Sequence, residues 1–172
     1  RGVCRCRGGG EGYKRQGQGT CEDWQRRLHR FVHDASRGPI APVPDAANDQ
    51  HYELPAEFFA HALGKRLKYS SCYWPTGTSN LDQAEEAALL TTCQRAEIQD
   101  GMQILELGCG WGSLTLWIAE KYPQSQVTAV SNSQVQRQFI EERAQLLGLS
   151  NVRVITADMN EFSTKERFDR IV

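Results

Sequence analysis

Chemistry concentrates in one short run, Glu106-Leu107-Gly108-Cys109-Gly110-Trp111-Gly112. Glycines at alternate positions let a backbone turn tightly and approach a ligand with no side chain in the way. Apolar Ile104 and Leu105 precede the run, and Leu114 to Ala119 follow it, so it sits where a buried strand passes into a helix. Open α/β sheets hold cofactors at such a turn. A dinucleotide fingerprint has a wider gap before its third glycine, and its acid lies about twenty residues downstream. Here the glycines are evenly spaced and the acid, Glu106, stands just ahead of the first. That difference has a chemical reason. A dinucleotide lays a pyrophosphate on the helix N-terminus. S-adenosyl-L-methionine has no phosphate, and presents an ammonium, a carboxylate, a sulfonium and ribose hydroxyls. Glu106 suits its cationic amino-acid portion, directly or through water. The expected cofactor is therefore S-adenosyl-L-methionine, with Glu106, Gly108, Cys109, Gly110 and Gly112 around it; a ligand-free glycine turn is the alternative.

Two further strand ends add polar groups. Ribose hydroxyls are commonly held after the second strand, where this chain has Ser131-Asn132-Ser133 and then Gln136. No carboxylate is present there, but hydroxyls and amides can hydrogen-bond a diol. Ser133 is also a natural helix cap, which leaves Ser131 and Asn132 for a ligand. After the third strand come Asp158, Met159 and Asn160. A carboxylate or main-chain N–H there can read an adenine edge, and Met159 can lie against the ring.

The elements that must position these residues alternate from residue 102 onward. Strands are expected over 102–107, 126–130, 152–156 and 168–172, with helices over 112–121 and 133–147 between them. Strands separated by helices of that length imply right-handed crossovers, a parallel sheet and helices on both faces. The expected strand order is third, second, first, fourth. Upstream, helices are read over 55–63, with Pro55 in its first turn, and from 80 or 81 to 96. An aromatic and hydroxyl-rich loop, 69–77, joins them. A short helix over 24–33 carries Trp24, Leu28, Phe31 and Val32 on one side, and Pro39, Pro42 and Pro44 mark a linker over 34–49. The organisation is then a disordered or linker segment over 1–49, a helical cap over 50–99, and a cofactor-binding half-domain over 100–172.

Composition sets outer limits. The 172 residues carry 20 basic and 21 acidic side chains, for a net charge of −1, which gives no argument for nucleic acid. No apolar run approaches the ~20 residues of a membrane helix. The six cysteines are scattered, and Cys4 and Cys6 stand too close together for a metal knuckle, so no metal is expected. A reducing, cytoplasmic compartment fits this usage; the basic, glycine-rich start leaves organellar import as a second reading.

With these residues assembled, the segment from about Asn48 to Val172 resembles the family of cyclopropane-fatty-acid synthases, mycolic acid methyltransferases and coclaurine-type N-methyltransferases. The resemblance rests on His51-Tyr52-Glu53 followed by Phe58-Phe59, on Tyr69-Ser70-Ser71-Cys72-Tyr73-Trp74, on Glu106 to Gly112, on Ser131 to Gln136, and on the closing 168–172. It implies a Rossmann-like class I methyltransferase sheet, incomplete at the C-terminus, with a helical N-terminal cap. It implies that Tyr69 and Ser70 reach over the cofactor, beside contacts from Gly108, Gly110, Ser131, Asn132, Gln136, Met159 and Asn160. The implied reaction is methyl transfer to a small amine or lipid acceptor; lipid cyclopropanation and a non-catalytic cofactor-binding fragment are the alternatives. In lipid-modifying members a cysteine directly follows the Tyr-Ser pair, whereas here Ser71 does and Cys72 comes next, which weakens the cyclopropanation reading. His51, Glu53 and Tyr73 are candidates for the acceptor side, with cap packing as the alternative. Members of the family continue beyond the position of Val172 with the segment that forms the acceptor site. No catalytic residue is therefore assigned, and the chain by itself is expected not to turn over.

Overall fold

The computed structural model describes residues 19–40, 56–69 and 72–172. The expectations for 1–18, 41–49, His51, Glu53, Ser70 and Ser71 lie outside these residues. The chain divides into two units, Arg1–Pro42 and Val43–Val172. In the first, helix α1 (Cys21–Ala35) begins earlier than its apolar residues alone suggest, because Thr20 and Asp23 form a reciprocal capping box. The Asp23 N–H donates to Thr20 Oγ1 at 3.2 Å, and the Thr20 N–H donates to Asp23 Oδ2 at 2.9 Å.

The second unit runs α2 (Ala56–Ala62), α3 (Leu81–Arg95), β1 (Gln103–Leu107), α4 (Ser113–Lys121), β2 (Gln126–Ser131), α5 (Gln134–Leu146), β3 (Val152–Thr156) and β4 (Arg170–Ile171). The strands form one parallel sheet in the order β3-β2-β1-β4, as the alternation predicts. The regular part of β4 is shorter than expected. Its ladder pairs only Ile104 with Arg170 and Leu105 with Ile171, because the Asp169 carboxylate takes the Gln103 N–H at 2.8 Å. The Asp169 and Val172 amides still donate to Gln103 and Leu105 carbonyls, at 2.8 and 2.9 Å.

Side chains alternate across a strand, and the register places Ile104, Val127 and Val152 on one face with Glu106, Ala129 and Val154. Helices α3 and α4 bring Leu89, Cys93, Trp117 and Ile118 onto the first end of that face. Helix α5 brings Ile140 onto the other end, against Ala129 and Val154. Leu105, Thr128 and Val130 point the opposite way and are buried as well, whereas Leu107 and Ile171 on that second face are exposed.

The strongest departure from the helical reading of α3 is Glu85. Its neighbours Ala84, Ala88, Leu89 and Cys93 form the buried stripe, and Glu85 is buried among them. Asn80 caps the helix by accepting the Gln83 N–H, which fixes where that stripe begins.

Candidate cofactor site

The C-terminal ends of β1 and β2 meet at the glycine loop. The Gly108 and Cys109 amides both donate to the Val130 carbonyl, at 2.9 and 3.1 Å, so the loop is stitched across the strand ends before it enters α4. Gly108, Gly110 and Gly112 all have positive φ, at 80°, 54° and 78°. Their surroundings separate them into two roles. A Cβ on Gly108 or Gly110 would meet no atom within 4 Å, whereas one on Gly112 would lie 2.6 Å from Ile140 Cγ1. Gly112 therefore lets α5 pack against the start of α4, and Gly108 and Gly110 leave open space above the strands.

Glu106 is buried beneath that loop. Among the described residues its hydrogen bond comes from Thr115 Oγ1, which donates to Glu106 Oε2 at 2.5 Å. Burial pushes its carboxyl up to about 7, against the downward pull of the Thr115 hydrogen bond and of the Lys68 charge. A carboxylate short of donors at a strand end attracts a cation, because an arriving ammonium restores what burial removed. Thr115 and Lys68 carry no signal in the sequence. Thr115 reads as one more position in an apolar helix, and Lys68 as a solvated charge.

Ser131 and Gln136 form the second edge. Both are buried. Ser131 Oγ donates to Gln136 Oε1 at 2.6 Å and accepts the Ser133 N–H at 3.1 Å, so it is not the free hydroxyl that the sequence suggests. Ser133 caps α5 by accepting the Gln136 N–H at 3.3 Å. The residue left with spare capacity is Gln136, whose buried Nε2 has no partner among the described residues. A buried amide nitrogen without an acceptor is costly in a native fold and points to a missing ligand atom or water. Asn132 is exposed at the same strand end.

At the third strand end, Asp158 Oδ1 accepts the Asn160 N–H at 2.7 Å, and the Asp158 carbonyl accepts from Glu161 and Phe162. Asp158 thereby shapes its own turn, and it holds Met159 half-buried and Asn160 exposed beside it. Cys109 belongs to the core: its side chain packs with Ala129, Ile140 and Val154, and burial raises its thiol to about 12. Only its main chain can serve a ligand. Ahead of α3, Tyr69 is half exposed and packs edge-on against Phe59 at 5.7 Å. Phe59 lies 5.0 Å from Trp111 of the glycine loop, and Trp111 meets Phe139 of α5 at 5.3 Å. An aromatic ladder thus runs from the cap loop to the loop above β1. Tyr73 and Trp74 are exposed. Among the described residues no group of acidic, cysteine and histidine side chains could hold a metal ion, and no helix is long and apolar enough to cross a membrane.

Together, the fold and the site make a parallel α/β sheet whose glycine loop is paired with a buried acid. Residues 43–172 match the family model described as mycolic acid cyclopropane synthetase, and the chain belongs to that family. It is 42% identical over 153 residues to an (S)-coclaurine N-methyltransferase of Thalictrum flavum subsp. glaucum, covering 89% of this chain and 42% of that protein. It is 33% identical over 123 residues to a cyclopropane-fatty-acyl-phospholipid synthase of Escherichia coli, covering 72% of this chain and 30% of the synthase. Among solved structures, a coclaurine N-methyltransferase bound to N-methylheliamine and SAH superposes with a TM-score of 0.87 at 38% identity, over 94% of this chain and 46% of that one. The chain spans about two fifths of the length of the curated relatives it matches, 42% and 37% for the first two.

Proposed function

We propose that this chain supplies the S-adenosyl-L-methionine-binding part of a methyltransferase whose acceptor is a small-molecule amine. One observation carries the cofactor reading. The acid at the end of β1 is buried and short of hydrogen-bond donors, directly below glycines whose missing side chains leave open space. A cationic ligand with no phosphate fits that pairing, and the orphaned Gln136 Nε2 offers a donor to its ribose or adenine. When bound, the cofactor supplies a methyl already activated by its positive sulfur. The protein's own share is positional. Glu106 would hold the ammonium, Gly108 and Gly110 would admit the amino-acid portion against the main chain, and Gln136 would orient the nucleoside. Tyr69 would cover the site from the 50–99 cap. Orientation of reactants is a large part of the acceleration of a displacement.

Support for an amine acceptor comes from the likeness to coclaurine N-methyltransferases, which is stronger in identity than the likeness to the lipid-modifying synthase. A nitrogen acceptor must arrive neutral, so a base near it is expected. A reducing cytoplasmic setting suits buried thiols such as Cys93 and Cys109, both unpaired. The test is calorimetry of the purified chain with S-adenosyl-L-methionine, with NAD and ATP as controls, followed by transfer of labelled methyl to heliamine or to phospholipid vesicles by the full-length protein that contains this sequence. Binding of the phosphate-bearing controls in place of the cofactor would overturn the cofactor reading. Label in lipid and none in heliamine would overturn the amine reading.

A further inference from the structure

We infer that Glu85 is a positioning residue for the cofactor site: its buried carboxylate gathers the 64–68 turn and thereby sets Tyr69 against Phe59, whose ring meets Trp111 of the glycine loop. The inference rests on the cofactor reading above and adds a residue outside the glycine loop to it. Glu85 Oε1 accepts the Gly64 N–H at 2.9 Å and the Lys68 N–H at 3.1 Å, and Oε2 accepts the Arg66 N–H at 2.9 Å. The Lys65 N–H, between them, goes to Asp82 Oδ1 at 2.8 Å. Four backbone donors of one turn thus converge on two carboxylates one helical turn apart on α3. Concave rings of successive N–H groups are natural anion receptors; here the anion is the protein's own.

The turn is shaped around this carboxylate. Leu67 takes φ of 53°, a region that residues with a Cβ rarely occupy, and is buried. A Cβ on Gly64 would lie 2.6 Å from Glu85 Oε2, so only glycine lets the chain come this close. Strain held at one residue by surrounding hydrogen bonds marks a conformation the fold over-determines. The side chain of Arg66 adds a second tether, bridging Glu86 on α3 at 3.1 Å and Glu120 on α4 at 2.6 Å.

What the turn delivers is the next two residues. Lys68 closes the turn by giving its N–H to Glu85. Tyr69 follows directly and reaches the glycine loop through Phe59 and Trp111. A buried acid on α3 is thereby linked to the glycine loop through one five-residue turn and the two ring contacts that follow it.

The experiment compares Glu85→Gln, Tyr69→Ala and the double variant. In the E85Q protein one acceptor oxygen becomes an N–H donor facing donors, so the turn loosens. Amide exchange at Gly64, Arg66 and Lys68 is expected to quicken at least tenfold, with β1 and β2 amides unchanged. Affinity for S-adenosyl-L-methionine should fall about tenfold for either single variant, and the double variant should bind no more weakly than Tyr69→Ala alone. A purely structural Glu85 would give losses that multiply in the double variant, and that result overturns the inference. So does wild-type affinity in E85Q. If E85Q does not fold, Gly64→Ala presses a methyl against the same carboxylate. Faster exchange with weaker binding in G64A then supports the inference, and wild-type behaviour in both measurements rejects it. A wild-type chain that binds no S-adenosyl-L-methionine overturns the proposed function itself, and is distinguished because the loss is already present before any substitution.

Discussion

Glu85 on α3 and Glu106 at the end of β1 are both buried carboxylates, and their surroundings are opposite. Glu85 receives three backbone N–H groups. Among the described residues Glu106 receives one hydroxyl. A buried carboxylate with several backbone donors is at rest, because its lone pairs have partners that do not move. One that lacks donors is held above its preferred protonation range and gains from any cation that arrives. The comparison teaches how to sort buried acids in this fold: the well-bonded one builds the frame, and the poorly bonded one waits for a ligand.

The largest effect is expected from Glu106→Gln. Leaving a buried charge without its partner costs about 2–5 kcal/mol in binding, so S-adenosyl-L-methionine affinity should drop ~30-fold or more by calorimetry. Stability should move the other way. The carboxyl sits at about 7 in the folded protein, above its usual 4.5. The folded state therefore binds the proton more tightly than the unfolded chain, and stability falls as pH rises through that window. At pH well above it, ionised Glu106 costs the empty protein up to roughly 3 kcal/mol. Removing the charge should raise the melting temperature of empty protein at pH 8 by several degrees, while the same change at Glu85 lowers it. A lower melting temperature for E106Q would place Glu106 with Glu85 as a frame residue and erase the contrast.

The next pair separates the two kinds of glycine. Gly110→Val points a side chain into open space at a φ of 54°. It should keep its fold, with strain of about 1–2 kcal/mol, and lose cofactor affinity tenfold or more. Gly112→Ala drives its methyl into Ile140 in the middle of α5. It should destabilise by about 1–3 kcal/mol with a smaller effect on affinity, measured by urea melts beside calorimetry. Equal affinity losses in the two variants would mean that the open space above Gly110 is not where the cofactor lies.

These glycines also show what the sequence makes legible. Their types and spacing, with Glu106, mark a site before any fold is known, and the alternation after Met102 places it at a strand end because each strand and helix buries one pattern of apolar residues. Other features depend on contacts that sequence order hides. Glu85 reads as an exposed position because the amides it serves lie 17 to 21 residues away. Ser131 reads as a free hydroxyl until the Gln136 side chain folds back onto it. Cys109 and Gly112 sit in the binding motif, yet their side-chain positions serve the core. Direction is the missing information: a motif names residues, and the packing decides which way they face.

Wild-type protein offers a smaller measurement of the same contrast. Binding of a cation needs ionised Glu106, so affinity should be level above about pH 8 and fall roughly tenfold by pH 6. E106Q should bind weakly and show no such slope. A flat profile in the wild type would indicate either that Glu106 is already ionised through neutral pH or that the ammonium is not its partner, and the size of the E106Q loss separates the two.

The smallest expected effect comes from Gln136, the amide whose Nε2 is buried without an acceptor among the described residues. Its Oε1 is fixed by Ser131, which leaves the nitrogen pointing where no described residue can satisfy it. Gln136→Met keeps the length of the side chain and removes both polar atoms. In the empty protein the loss of the Ser131 hydrogen bond, about 1 kcal/mol, is offset by removal of an unsatisfied donor of similar cost, so the melting temperature should change little. On the proposed placement of the cofactor, the variant lacks the donor that Gln136 Nε2 would offer the nucleoside. The expected loss is about 0.5–1.5 kcal/mol, a two- to tenfold weaker Kd, with the same pH slope as the wild type because Glu106 is untouched. Adenosine alone should show the same ratio between variant and wild type, since the group lost serves that half of the ligand. A variant that binds methionine less tightly and adenosine normally would move Gln136 to the wrong end of the site, and with it the orientation in which the methyl faces the acceptor.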